Sequence, residues 1–222
     1  MIQANKLDNV TIYQMIHKGE EILRAYDKQD AAIDAKLLAA HLFGCNLSDL
    51  IISRDNMVPD DIHQSYIYNI AKRAQGMPLQ YITKEQEFMG LPFYVDERVL
   101  IPRQDTEILV EAIIELSKVN PIKNIIDIGT GSGCISVALA YYIKDVNIIA
   151  IDISKAALDV AKLNIVSNSM TEHIRLLESD LLNNFNGEEN SIDLIVSNPP
   201  YISEEEYKGL MREVSEHEPR NA

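Results

Sequence analysis

The sequence predicts an α/β fold, a parallel sheet dressed with helices, preceded by a small helical bundle and a β-hairpin linker. Two patterns lead there. From residue 105 onward, segments of helical period alternate with apolar runs of four to six residues, the mark of strands buried on both faces. Before residue 77 the patterns are helical throughout, punctuated by capping and turn residues. The expected division is a helical domain over 1–76, a hairpin linker over 77–104 and an α/β domain over 105–222.

In TIYQMIHKGEEILRAYD, Thr11 is placed to cap a helix whose apolar residues Ile12, Ile16, Leu23 and Tyr26 recur at helical spacing. In DAAIDAKLLAAHLFG, Asp30 is the expected cap and Gly44 the expected stop. Ser48 and Asp49 are expected to open a short third helix, and Pro59 suits the first turn of a fourth carrying Ile62, Tyr66, Ile70 and Ala74. Gly76-Met-Pro breaks that pattern, and QEFMG and LPFYVDERVLI, around Gly90-Leu-Pro92, predict a hairpin. Beyond it, TEILVEAIIELSKV reads as a helix capped by Thr106, NIIDIG as a strand, CISVALAYYIK as a helix and NIIAIDI as a strand. KAALDVAKLNIVSN is a further helix, and HIRLLES and SIDLIVS are strands. The last strand has the continuous apolar character of a central one, yet about two dozen polar residues follow it with no further strand. The expectation is a C-terminally truncated sheet, or an edge that a partner covers.

Composition excludes several classes. Hydrophobic residues at 46% and charged residues at 24% are those of a soluble globular chain, not of a disordered or collagen-like one. Twenty basic against 34 acidic residues give a net charge of −14, the wrong sign for gripping phosphate backbones, so no direct nucleic-acid partner is expected. The acidity is uneven: residues 1–78 hold 8 basic and 10 acidic side chains, residues 79–222 hold 12 and 24. Cys45 and Cys134 are too few for a disulfide framework, and the five histidines share no ligand spacing, so no metal is expected. The first twenty residues lack a signal-peptide core and no apolar run approaches the ~18 residues of a membrane span. A cytoplasmic protein without membrane contact, acting as a monomer, is the expectation.

Asp127, Gly129, Gly131 and Gly133 fall at a strand-to-helix turn, where an α/β sheet binds nucleotide-like ligands and where glycines let backbone pass close to them. The spacing is G-x-G-x-G. The dinucleotide fingerprint G-x-G-x-x-G asks for a further small residue where Cys134 and Ser136 stand, which disfavours a nicotinamide dehydrogenase. Asp152 closes the next strand, 23 residues after Gly129, where a carboxylate can accept both ribose hydroxyls, although an acid there also suits a helix cap. The loop Asp127 to Gly133, with Thr130 and Ser132 between its glycines, resembles the first motif of class I S-adenosylmethionine-dependent methyltransferases. That resemblance implies a Rossmann-like sheet with Asp127 near the methionine portion of the cofactor. It also implies Asp180 at the adenine amino group beside the Leu181 backbone, though Asp180 too suits a cap.

The final strand runs into Asn198-Pro199-Pro200-Tyr201, on the same rim as the glycine loop. Asn198 offers an amide acceptor and Pro199 a carbonyl on stiffened backbone, while Pro200 has no N–H to compete and Tyr201 offers an aromatic face. Two acceptors on one planar –NH₂ would aim its delocalised lone pair at a sulfonium methyl, so positioning replaces a strong base.

With the hairpin ending Arg98-Val-Leu-Ile-Pro-Arg-Gln-Asp-Thr-Glu107 and the closing His217-Glu-Pro-Arg220, these motifs resemble the peptide-chain release factor glutamine methyltransferases across all 222 residues. The resemblance implies methyl transfer from S-adenosyl-L-methionine, leaving S-adenosyl-L-homocysteine, to the Gly-Gly-Gln glutamine of class I release factors, which modulates translation termination. It implies that the helical domain helps grip the release factor. It further implies that Gly129 to Gly133, Asp152, Leu181 and Asn198 contact the cofactor, that Arg103 and Thr106 lie near it, and that Asn198 to Tyr201 hold the glutamine. Gln104 stands where the family usually has proline, and family members continue with three more strands completing a seven-stranded sheet. Alternatives are a ribosomal-protein glutamine methyltransferase, a DNA adenine methyltransferase, which the net charge disfavours, and a non-catalytic S-adenosylmethionine-binding fragment.

Overall fold

The computed structural model describes residues 10–187, 191–199 and 217–219. The chain divides into two compact units, Met1–Thr83 and Lys84–Ala222.

The first unit is helical: α1 (Ile12–Ala25), α2 (Ala31–Phe43), α3 (Leu47–Ile52), α4 (Asp60–Ala74) and α5 (Leu79–Thr83). Thr11 caps α1 in a reciprocal box with Gln14, satisfying two otherwise orphaned backbone donors. Gly44 ends α2 in the left-handed region at φ 60°. Asp30 occupies the cap position of α2, but its side chain makes no capping bond. α3 begins before the expected Ser48, because Asn46 caps it and Asp49 answers at the third position. Residues 79–83, expected in the hairpin linker, instead form α5, whose first turn the Pro78 carbonyl opens by accepting from the Tyr81 and Ile82 amides. Tyr26, expected on the buried face of α1, follows the helix and is exposed; Met15 and Leu23 carry that face.

Met15, Leu23, Leu38, Tyr66 and Ile70 form the centre of this unit's core. Tyr66 on α4 donates its hydroxyl to the Ala35 carbonyl of α2 at 3.0 Å. The same ring lies against Gly19, so a glycine in the middle of α1, a poor helix former, is the residue that leaves room for it. Arg73 of α4 pairs with Asp34 of α2 at 2.6 Å, both side chains buried, and also donates to the Met77 carbonyl at 3.2 Å.

The second unit opens with β1 (Glu85–Phe88) and β2 (Leu91–Tyr94), paired antiparallel. The hairpin turns at Met89 and Gly90, both at positive φ (53° and 71°), the two-residue form that matches strand twist. Methionine is a strained choice there, and its backbone is held at both ends: Met89 N–H donates to Glu107 Oε1 at 2.7 Å, and Tyr142 donates to the Met89 carbonyl at 2.8 Å. After β2, the Asp96 carboxylate accepts from the Tyr94 hydroxyl at 2.9 Å and from Arg98 through Nε at 2.8 Å and Nη2 at 2.6 Å. Burial would raise the Asp96 carboxyl, but these hydrogen bonds with the Arg98 charge outweigh it and hold it at about 2.

There follow α6 (Gln104–Val119), β3 (Asn124–Ile128), α7 (Cys134–Tyr142), β4 (Asn147–Asp152), α8 (Lys155–Ser167), β5 (Ile174–Glu178) and β6 (Leu194–Ser197). The last four strands pair in parallel in the order β5-β4-β3-β6, with Ile128 opposite both Ile151 and Ser197, and Asp152 opposite Glu178. This register brings all four carboxyl ends to one rim. On one face Ile125, Ile148, Ala150, Ile174 and Val196 pack with residues of α6, α7 and α8. On the other, Ile126 and Ile151 are buried while Ile195 is 53% exposed, so among the described residues the second face is covered at β3 and β4 and open at β6. Arg103, not Thr106, occupies the cap position of α6, and Thr106 lies buried inside its first turn.

Two predictions follow from packing and charge. Gly19→Ala should destabilise the helical unit by about 1–3 kcal/mol through overpacking against Tyr66, reversing the ~1 kcal/mol that helix propensity alone would give, as read by urea unfolding. Because the folded Asp96 carboxyl is depressed, its contribution is complete above the ordinary value of 3.8 and is lost as pH falls to about 2. Between pH 5 and pH 2, Asp96→Asn should therefore lose roughly 1–2 kcal/mol less unfolding free energy than the unaltered protein.

Candidate functional site

A cleft of about 280 Å³ lies along the rim where the carboxyl ends of the four parallel strands meet. Its walls come from the glycine loop after β3, Asp152 to Ser154 after β4, Ser179 to Leu181 after β5, and Ser197 to Pro199 after β6. The segment from Arg98 to Thr106 closes another side.

The glycine loop is shaped by its backbone. Gly129 and Thr130 both donate N–H to the Ile151 carbonyl, at 2.8 and 2.9 Å, and Gly133 donates to the Thr130 carbonyl at 2.8 Å. Gly129, Gly131 and Gly133 all have positive φ, as the motif led us to expect. A Cβ at Gly129 or Gly131 would meet no protein atom within 4 Å, so both leave space open; one at Gly133 would come 3.2 Å from the Ala161 Cβ of α8. The first two glycines keep the cradle empty and the third admits a helix.

Asp127 does not line the cleft among the described residues; it stands behind the loop, fully buried. Its Oδ2 accepts from the Thr130 hydroxyl and from the Ser136 hydroxyl of α7, each at 2.7 Å, while Oδ1 is buried without a hydrogen-bond partner. Burial pushes this carboxyl above its usual range, against the pull of the two hydroxyls. Asp152 does line the cleft. Its Oδ2 accepts from Gly131 N–H and its Oδ1 from Ser154 N–H, both at 2.9 Å, which leaves further lone pairs on each oxygen. The capping role weighed for Asp152 falls to Ser154, whose hydroxyl accepts from Ala157 N–H. Asp180 and Leu181 line the cleft, and Leu181 holds a left-handed φ of 51°.

At the other end, Asn198 and Pro199 line the cleft directly after β6. Asn198 Nδ2 donates to the Thr106 hydroxyl oxygen at 3.1 Å, which turns Oδ1 away from Thr106. Pro200 and Tyr201 lie outside the described residues. Arg103 lines the cleft and pairs with Glu218 at 2.6 Å.

Two site-forming residues escape the motifs. Asn164 of α8, fully buried, donates from Nδ2 to the carbonyls of Tyr94 (2.9 Å) and Ser132 (2.8 Å) and accepts from Tyr94 N–H (2.7 Å), joining β2 to the glycine loop. A polar residue amid the apolar positions of KAALDVAKLNIVSN was its one signal. Asp96, which fixes Arg98 at the cleft wall, was visible only as the acid two residues before an arginine.

Residues 104–216 match the Methyltransferase small domain family and residues 14–83 the PrmC N-terminal domain family. A release factor glutamine methyltransferase of Clostridium acetobutylicum is 37% identical over 91% of this chain and 71% of its own length. Proteins of the same name from Rhodopirellula baltica and Fusobacterium nucleatum are 34% and 38% identical, over 96% and 98% of this chain and 73% and 60% of theirs. A solved ribosomal protein L11 methylase of Lactobacillus delbrueckii aligns at 31% identity over 43% of this chain and 46% of its own, with a TM-score of 0.37. An α/β sheet with this glycine loop, this carboxylate after β4 and this asparagine after β6 is accompanied by identity above 30% along most of the chain, and the chain belongs to the release factor glutamine methyltransferase family.

Proposed function

We propose that this protein transfers a methyl group from S-adenosyl-L-methionine to the side-chain amide nitrogen of a glutamine in a class I peptide-chain release factor. The observation that carries the reading is Asn198, which lines the cleft at the carboxyl end of β6 with Nδ2 engaged by Thr106, so that Oδ1 is the acceptor its amide has to offer. With the Pro199 carbonyl as second acceptor, an incoming –NH₂ is gripped by both hydrogens.

The residues of the cleft fit the methyl donor. Gly129 and Gly131 form a cradle that any Cβ would begin to fill, Asp152 keeps lone pairs for a ribose diol, and Asp180 lies at the adenine end. When bound, the donor supplies an electrophilic sulfonium methyl. The acceptor is an amide whose lone pair is spread into its carbonyl, so the chain's task is to fix that nitrogen in line and keep water away rather than to remove a proton first. Asn198 and Pro199 hold the two N–H bonds in one plane, Pro200 and Tyr201 support the flat amide, and the amide proton leaves after transfer. The helical unit, matched over 14–83 by the PrmC N-terminal domain, holds the release factor.

Labelled S-adenosyl-L-methionine incubated with unmethylated release factor, followed by mass mapping, should place label on the Gly-Gly-Gln glutamine. Label on a ribosomal protein instead, offered in parallel, would reassign the substrate. Asn198→Ala should lower turnover by about 10²–10³-fold while keeping part of the S-adenosyl-L-homocysteine affinity, because it removes one of two preorganised acceptors for the acceptor nitrogen. Unchanged turnover in that variant would reject the mechanism.

A further inference from the structure

The motif His217-Glu-Pro-Arg220 has no part in the chemistry above, yet the structure brings its Glu218 and Pro219 back to the cleft wall. Pro219 lines the wall together with Arg103 and Asn198. The Glu218 side chain is 3% exposed, and its Oε1 accepts from Arg103 Nη2 at 2.6 Å across 115 positions of sequence.

The strand order gives the rim a direction. Asp180 follows β5, Asp152 closes β4, the glycine loop follows β3 and Asn198 follows β6, so nucleoside-binding groups lie at one end and the acceptor-binding asparagine at the other. Arg103 belongs to the asparagine end. Its carbonyl accepts from Thr106 N–H at 3.0 Å, and the Thr106 hydroxyl meets Asn198 Nδ2 at 3.1 Å. Glu218, Arg103, Thr106 and Asn198, from three separate stretches of chain, are thereby joined in one continuous series of hydrogen bonds and backbone.

The start of α6 has a reason to need such a support. Arg103 at its cap position makes no side-chain capping bond, and a guanidinium at a helix N-terminus has the wrong sign for the helix dipole. Asp105 and Glu107 add acidic charge within the first turn, and Glu107 is already engaged by the Met89 amide. The buried Glu218 carboxylate supplies the countercharge directly and fixes where the arginine points.

We propose that Glu218 is a positioning residue for methyl transfer: through Arg103 it fixes the first turn of α6, so that Thr106 keeps the Asn198 amide turned with Oδ1 toward the acceptor nitrogen. The inference rests on the methyl-transfer reading. It assigns the His217-Glu-Pro-Arg220 motif to the acceptor end of the cleft and not to the cofactor end.

The test compares the unaltered protein with Glu218→Gln, which keeps shape and loses charge, and with Arg103→Gln, a half-exposed site that should fold without difficulty. The primary readout needs no turnover. In a nitrogen–proton NMR spectrum, the Asn198 side-chain amide pair, assigned by its loss in Asn198→Ala, should move in both variants and in the same direction as in Thr106→Val. S-adenosyl-L-homocysteine affinity, by calorimetry, should stay within about threefold, whereas turnover of release factor should fall about tenfold or more, as expected when a reacting group is misplaced by a fraction of an ångström. A merely structural ion pair would lower the melting temperature and leave the Asn198 signal in place, which would overturn the proposal. A loss of S-adenosyl-L-homocysteine affinity beyond threefold would also overturn it, by placing Glu218 at the cofactor end. If the unaltered protein does not label release factor, the substrate reading fails, and the Asn198 signal and the calorimetry still decide the role of Glu218.

Discussion

The site depends on one buried carboxylate. Asp127, at the end of β3, gathers the Thr130 hydroxyl from the loop and the Ser136 hydroxyl from α7 onto a single oxygen. A fully buried carboxyl costs several kcal/mol to desolvate unless hydrogen bonds compensate, and two hydroxyls on one oxygen compensate only in part. Burial accordingly pushes the Asp127 carboxyl above its usual range, against the pull of those hydroxyls. In return, a loop with three left-handed glycines, which would otherwise have many conformations, is tied to the helix it precedes.

Several neighbours of that loop take their positions from it. Gly131 N–H reaches the Asp152 carboxylate, so the acid proposed for the ribose is aimed by the backbone of the glycine loop itself. Ala161 and Asn164, one turn apart on α8, press against Gly133 and hold the Ser132 carbonyl. Asn164 also grips the Tyr94 backbone in both directions, which joins the hairpin to the loop. Tyr94 in turn contacts Asp96, and Asp96 fixes Arg98 at the cleft wall. A loose glycine turn thus becomes a rigid cradle because polar groups buried behind it leave few alternative arrangements.

Most of this architecture was legible in the sequence because the signals were local. The apolar runs NIIDIG and NIIAIDI could only be buried strands, the glycines at 129, 131 and 133 required positive φ, and Thr11 and Gly44 marked helix ends by side-chain chemistry alone. What failed to show was non-local. Thr106 has the appearance of a cap, yet the register of β3 against β6 brings Asn198 to it from 92 positions away, and its hydroxyl is spent there. Asn164 and Glu218 are single polar letters whose partners lie 70 and 115 positions distant, and no periodicity encodes such pairs. Residues 79–83 fall in the expected hairpin linker because Gly76-Met-Pro78 breaks the helical pattern before them, but Pro78 starts a new helical turn that buries Tyr81.

The charges on the cleft complete the physical account. Among the described residues lining it, the charged side chains are Arg98, Arg103, Asp152 and Asp180. Each arginine is matched by a largely buried carboxylate, Asp96 for Arg98 and Glu218 for Arg103, at 2.6 Å in both cases. The two acids, by contrast, face the cleft with backbone amides or the cleft itself as neighbours. A positively charged sulfonium donor would be repelled by unmatched guanidinium groups in a medium of reduced dielectric. Matching them lets arginine shape the wall without opposing the donor's charge. On this account Asp152 and Asp180 are the lining charges left to favour a cation in the cleft, as the proposed donor requires.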